Sequence, residues 1–163
     1  MVKFKYFVIM VCLAGCLAAC KKNVPVDDAY DPTPQFKADT TAIAAFVKTN
    51  NIPAIKDASG IFYQIIAPGS GSVSYLTSTV ISADYEGRLL NGTIFDSTKG
   101  TPATFKLGNV ILGWQFGIQK IQKGGKIRLI IPSYYAYGTR SPSSSVPANS
   151  VLDFTITLTD VQQ

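Results

Sequence analysis

Apolar and polar positions alternate along two stretches of the chain and follow a helical period along two others. In "STVISADYEGRLL", Val80, Ser82, Asp84 and Glu86 oppose Ile81, Ala83 and Tyr85. In "SVLDFTITLTDV", Val151, Asp153, Thr155 and Thr157 oppose Leu152, Phe154, Ile156 and Leu158. A period of two places one set on each face of a sheet. "GIFYQIIA", "ATFKLG" and "KIRLIIP" are shorter runs rich in β-branched and aromatic residues, and the first stops at Pro68-Gly69; they read as strands. "NGT" at 91–93 predicts a turn between strands.

Two segments carry the other period. Ile43, Phe46 and Val47 share one face of "TTAIAAFVKTN", and Asp39 precedes it as a candidate N-cap, so a helix is expected from there to about Asn50. Trp114, Ile118 and Ile121 are spaced for a second, short helix that Lys123-Gly124-Gly125 would end. One short central helix cannot supply the crossovers of a parallel sheet. The expected fold is therefore α+β: a curved, mostly antiparallel sheet of five or six strands wrapped around that helix.

The first twenty residues have a different character. Lys3 and Lys5 precede an apolar run from Tyr6 to Ala19, which is short for a membrane span. The run closes on two overlapping patterns, Leu13-Ala14-Gly15-Cys16 and Leu17-Ala18-Ala19-Cys20. These resemble the bacterial lipoprotein signal, in which the cysteine is lipidated and becomes the mature N-terminus. Cys20 is favoured, because the apolar run reaches it and Lys21-Lys22 begin the polar chain; Cys16 is the alternative. The expected organisation is a signal at 1–19 and a tether at 20–35, "CKKNVPVDDAYDPTPQ", with three prolines. A helix and lead-in at 36–58 and one domain at 59–163 follow. The expected location is the cell envelope, on the lipid bilayer through that anchor, either periplasmic or on the outer-membrane surface.

Composition narrows the chemistry. The 47% apolar content supports a folded core rather than a disordered chain. A net charge of +5 is spread thinly, with no basic stripe, so no nucleic-acid partner is expected. Histidine is absent, and all three cysteines lie in the first twenty residues. The domain therefore has no His-based triad, no thiolate nucleophile, no disulfide and no His/Cys zinc set. Neither a metal nor a cofactor is expected.

Taken in order, "ADYEG", "NGTIFDST", "FKLGNVILGWQFGI", "GGKIRLIIPSYYAYG" and "VPANSVLDFTITL" resemble the FKBP-type peptidyl-prolyl cis–trans isomerases over about residues 60–162. The resemblance implies that Trp114 floors an apolar pocket for a prolyl ring. Val110 and Ile111 would line a wall, with the Ile111 amide open to a ligand carbonyl. Tyr85 and Phe95 would be wall aromatics, Asp96 the aspartate of the Phe-Asp pair, and Tyr137 the hydroxyl that meets a carbonyl. Val146 and Phe154 would complete rim and wall. It further implies isomerase activity on proline-containing polypeptide clients and sensitivity to macrolide inhibitors; the short N-terminal helix makes a monomer the simplest expectation.

Departures from the family pattern are Ala103, where many members carry a second phenylalanine, and Ser145, in place of an apolar loop residue. No arginine lies between Asp96 and Phe105 to pair with Asp96; Lys99 is the nearest cation. These imply a pocket wider and wetter at one rim, and they motivate an alternative: a proline-pocket binding module or chaperone with little turnover. Taken singly, the residues also suit plainer roles. Trp114 with Ile118 and Ile121 fits a core, Tyr85, Phe95 and Phe154 fit ordinary strand packing, and Asp96 before Ser97-Thr98 fits a turn.

Overall fold

The computed structural model describes residues 32–162. The candidate signal, the lipidation candidates Cys16 and Cys20, and most of the expected tether lie outside the described residues. No helix among the described residues is long and apolar enough to cross a membrane.

The chain runs through α1 (Thr33–Thr49), β1 (Ile55–Lys56), β2 (Phe62–Ala67), β3 (Val80–Leu89), β4 (Ile94–Ser97), β5 (Ala103–Lys106), α2 (Leu112–Ile118), β6 (Lys126–Ile131) and β7 (Leu152–Gln162). The strands form one antiparallel sheet in the order β1-β2-β6-β7-β3-β4, with β5 also paired to β3. That is seven strands, more than the five or six expected, because the two-residue β1 and the four-residue β4 are too short to show a period.

β7 is central and pairs along its length with β3. The other edge of β3 is shared end to end: β5 takes residues 80–83 and β4 takes residues 86–88. The register skips Thr159 of β7 opposite Ser82/Ala83 of β3, and Phe95 of β4 opposite Gly87/Arg88. Such bulges bend a strand and increase its twist.

The two helices lie on opposite faces of the sheet. Leu129 on β6 pairs with Phe154 on β7, and both belong to the core cluster that includes Trp114 and Ile118 of α2. Ile130, one residue on, points the other way. It joins Phe62, Val151 and Ile52 in a second cluster sealed by Ile43 of α1.

α2 lies unusually close to β6, and its sequence says why. A methyl group at Gly113 would sit 2.4 Å from Ile131 Cγ2, and one at Gly117 would sit 2.2 Å from Leu129 Cδ1. Glycines four apart give the helix a bare stripe, and the sheet fills it. The helix stops at Ile118 rather than at Lys123-Gly124-Gly125. The next residues are claimed by strand-end contacts: the Gln122 amide donates to the Pro68 carbonyl (2.8 Å) and the Gly124 amide to the Leu158 carbonyl (2.7 Å).

α1 starts at Thr33, with Pro32 as its N-cap, so Asp39 is not the cap. Pro34 in the first turn costs nothing, since the N–H it lacks would be unpaired there. Asp39 sits inside the helix, 4% exposed, and its carboxylate is used in a tertiary contact instead. The helix ends where Asn51 adopts φ 51°, and the Ile52 amide folds back to the Val47 carbonyl (2.9 Å). Ile43 is fully buried, and Phe46 and Val47 pack on the second cluster, as their spacing predicts.

Candidate active site

The indole of Trp114 is 4% exposed and stands on the α2 face of the sheet. Three rings meet it edge-on: Tyr85 at 5.1 Å and 86°, Phe154 at 5.4 Å and 90°, and Phe105 at 5.9 Å and 76°. Aromatic rings favour this arrangement because positive ring edges meet the negative π face. The rings come from β3, β5, β7 and α2, so only the folded sheet assembles them. Above them opens a cleft of about 250 Å³, walled also by Val110, Ile111, Asn109, Asp96 and Tyr137. That volume is below the usual range for drug-sized ligands and suits one ring-bearing residue with its flanking backbone.

Tyr85 is fixed at both ends. Its backbone lies where β4 and β5 leave the edge of β3 uncovered, and Thr98 fills the gap. The Tyr85 amide donates to the Thr98 hydroxyl (2.8 Å), and the Thr98 amide donates back to the Tyr85 carbonyl (3.0 Å). The Thr98 hydroxyl in turn donates to the Asp84 carboxylate, which also accepts from the Gly100 amide. At the far end the Tyr85 phenol donates to Asp96 Oδ2 (2.6 Å). Asp96 thus finds its partner in a tyrosine hydroxyl, not in a cation.

Burial, the hydrogen bond to Asp96 and the nearby negative charge all push the Tyr85 phenol well above its ordinary 10.0. Burial first, then the Asp96 charge, pushes Tyr137 the same way. Both hydroxyls therefore stay neutral donors throughout the physiological range. Among the described residues, the one buried side-chain polar atom without a hydrogen-bond partner is Trp114 Nε1. An orphan donor of this kind costs roughly 1–3 kcal/mol, which the edge-on packing of the indole must outweigh.

The cleft gathers Tyr85, Asp96, Val110, Ile111, Trp114, Tyr137 and Phe154 from the expected set. Two residues fall elsewhere. Phe95 stands behind the wall, edge-on to Phe154 at 5.5 Å and 87°. Gly87 leaves room for both rings, since a methyl there would come within 2.7 Å of each. Val146, expected at the rim, is 2% exposed and belongs to the core. Phe105 and Asn109 were not foreseen. Phe105 alternates with its strand neighbours, but its pairing with Ile81 of β3 is what turns it toward the indole. It provides an aromatic wall two residues beyond Ala103, which is outside the cleft lining. No group of three or more metal-ligating side chains occurs among the described residues.

A cleft of this kind, mostly apolar and aromatic, without histidine or cysteine and with a few hydroxyl and backbone donors at its border, has room for an apolar side chain and its flanking polar groups. Comparison with known proteins identifies the class. The family model for FKBP-type peptidyl-prolyl cis-trans isomerase matches residues 74–159. The FKBP-type peptidyl-prolyl cis-trans isomerase FkpA of Buchnera aphidicola subsp. Schizaphis graminum is 45% identical over 109 residues, which are 66% of this chain and 43% of that protein. FkpA of Escherichia coli strain K12 is 41% identical over 106 residues, 64% of this chain and 38% of that one. The crystal structure of a peptidyl-prolyl cis-trans isomerase from Pseudomonas syringae pv. tomato superposes with a TM-score of 0.68 at 31% identity, covering 82% of this chain and 98% of that one. This chain belongs to the FKBP-type peptidyl-prolyl cis–trans isomerase family. It spans less than half the length of the two FkpA relatives.

Proposed function

We propose that the cleft accelerates cis–trans rotation of X–Pro bonds in polypeptide clients, so that the protein is a folding isomerase of the cell envelope. The supporting observation is the indole floor with three rings edge-on around it, open on one side and bordered by hydroxyl donors.

The barrier to X–Pro rotation is about 18–20 kcal/mol and arises from lost amide resonance. No bond is made or broken, so the lack of histidine and of a thiolate is no obstacle. The planar amide is more dipolar than the twisted one. Moving the prolyl amide from water onto Trp114, Phe154 and Phe105 raises the ground state more than the transition state. Tyr137, as a neutral phenol, donates to the carbonyl on one side of the rotating bond. The Ile111 amide, at the N-cap of α2, holds the carbonyl on the other side. Asp96 fixes Tyr85, so the wall does not collapse into the empty cleft. A thousandfold acceleration needs only about 4 kcal/mol, within reach of desolvation plus two hydrogen bonds.

The same reading places the protein on a bilayer. The signal pattern at 1–19 is removed, Cys20 carries the lipid, and a proline-containing stretch leads from it to α1. The domain then works at the periplasmic or outer-membrane surface, as a monomer, and macrolides that mimic a prolyl peptide compete for the cleft. The test is a protease-coupled isomerisation assay on the full chain with a prolyl tetrapeptide. Acceleration that a macrolide inhibitor abolishes supports the reading. Folded protein that leaves the uncatalysed rate unchanged but still captures unfolded clients would make it a binding module instead.

A further inference from the structure

We infer that α1, which lies outside the segment matched by the family model, sets the position of the site's tyrosine, and that Asp39 is the positioning residue. This rests on the proposed role of Tyr137 in the cleft. The chain from Pro132 to Gly138 leaves β6 in a single 3₁₀ turn at Ser133–Tyr135. Ser133 is its hub and is 1% exposed. The Ser133 carbonyl accepts the amides of Ala136 (2.9 Å) and Gly138 (2.8 Å), the two residues that bracket Tyr137. The donor side of Ser133 is held from α1. Its amide (2.8 Å) and its hydroxyl (2.6 Å) both donate to Asp39 Oδ2.

The Asp39 carboxylate is itself oriented, because Gln35 Nε2, one helical turn back, donates to Oδ1 (2.7 Å). Phe36, also on α1, presses edge-on against Tyr134 at 6.2 Å and Tyr135 at 5.9 Å. The path from helix to hydroxyl is thus contiguous: Asp39, Ser133, then the two amides on either side of Tyr137. A buried carboxylate is costly to fold unless it is fully bonded. Here three donors meet that need, and two of them belong to one residue of the turn. Misplacing a group that orients substrate by even 1 Å can cost up to about a hundredfold in rate.

The test combines kinetics with amide exchange on the full chain. Asp39→Ala is expected to lower kcat/KM about tenfold, mostly in kcat, because Tyr137 is lost as a transition-state contact and less so as a ground-state one. Asp39→Asn, which keeps an acceptor oxygen for Ser133, should recover most of that loss. In a Tyr137→Phe background Asp39→Ala should cost less than about twofold more, since both remove the same contact. Val47→Ala, on the same helix but far along it, serves as the stability control and should keep turnover. The amides of Ser133, Ala136 and Gly138 should lose hydrogen-exchange protection in Asp39→Ala and keep it in Val47→Ala. Losses from Asp39→Ala and Tyr137→Phe that multiply, or unchanged protection of those amides, would overturn the inference. The exchange readout does not depend on turnover, so a catalytically inert wild type with Asp39-dependent protection would reject the isomerase reading and leave the positioning role standing.

Discussion

The two faces of the sheet are packed by opposite rules. On the α1 face, Ile43, Ile52, Phe62, Ile130 and Val151 close a small, mostly aliphatic cluster, and the charged pair beside it is fully matched. Arg128 gives Asp153 two hydrogen bonds, Nε to Oδ1 at 2.9 Å and Nη2 to Oδ2 at 2.6 Å. On the α2 face, large rings stand edge-on, glycines replace side chains in the helix, a buried N–H goes unpaired, and the cleft stays open. Aliphatic side chains interdigitate and leave no void. Rigid rings held from four separate elements cannot slide together, so they keep a hole that a flexible core would fill. One face is built to close and the other to remain open.

The hardest blow to the open face is Trp114→Ala. It removes the floor and leaves a cavity among rings that cannot collapse, so stability should fall by about 3–5 kcal/mol in urea denaturation. Isomerase activity should vanish with it. A loss below about 1 kcal/mol would mean that the rings do relax and that the two faces are less different than their packing implies.

Asp153→Ala tests the closed face. It strands a guanidinium on the α1 face of the sheet, but the Arg128 side chain is 27% exposed, so the cost should be about 2 kcal/mol rather than the larger value of a dry pair. Activity should persist, because the side chains of this pair lie on the face of the sheet opposite the cleft. Parallel loss of turnover, after correction for unfolded protein, would show that the faces are coupled here.

Gly117→Ala sharpens the contrast from the helix side. The new methyl meets a fully buried Leu129 at 2.2 Å, an overpacking cost of about 1–3 kcal/mol. Higher helix propensity returns roughly 0.5–1 kcal/mol, leaving a net loss near 1 kcal/mol by thermal or chemical melting. The floor moves with the helix, so kcat/KM should drop more than stability does.

The smallest effects are those of pH. Asp57, in the lead-in to β2, feels burial pushing its carboxyl up. The bonds from Ser59 and Lys120 outweigh this and hold it below the ordinary 3.8. Lys120 lies 3.0 Å away, just past α2. A lowered folded value stabilises the fold above the unfolded value and is lost as pH falls through the lowered one. The urea midpoints of wild type and Asp57→Asn should therefore differ at pH 6 and converge below about pH 4, the ordinary carboxyl range. The tyrosines run the other way. Their raised values contribute stability that is fully present below about pH 10 and lost as pH climbs through the folded values. Turnover should accordingly be flat from pH 6 to 9 as far as these two groups act, since neither changes charge there. A sigmoidal loss centred near neutrality would assign the work to some other group.

Most of the cleft was legible in the chain, and its gaps are instructive. Tyr85 and Phe154 were named by the resemblance of their motifs to a known family, and alternation on long strands independently places each on one face of the sheet. Trp114, Ile118 and Ile121 were found because helical spacing does the same, and all three are buried. Phe105 escaped because β5 has only four residues, too few for its alternation to say which side is inward. Val146 was expected at the rim from the same resemblance and lies in the core here; its loop carries no period that could tell the two positions apart. Asp39 was mistaken for a cap because an aspartate before an apolar run looks the same whether its carboxylate turns to its own helix or to a distant serine.

Sequence alone therefore determined the longer elements, the antiparallel sheet with its central helix, and the exclusion of histidine and thiolate chemistry from the domain, while the order of its motifs pointed to the family. The elements and the exclusion follow from local spacing and composition, and the family from the resemblance of its motifs; a linear chain carries all of these. Only the tertiary structure decided which rings surround the indole, that Asp96 answers a tyrosine rather than a cation, and that a helix on the far face reaches the turn bearing Tyr137. Each of these depends on strand register and on a contact between residues far apart in the chain. No local period encodes such a contact, because its energy exists only once both partners have been brought together.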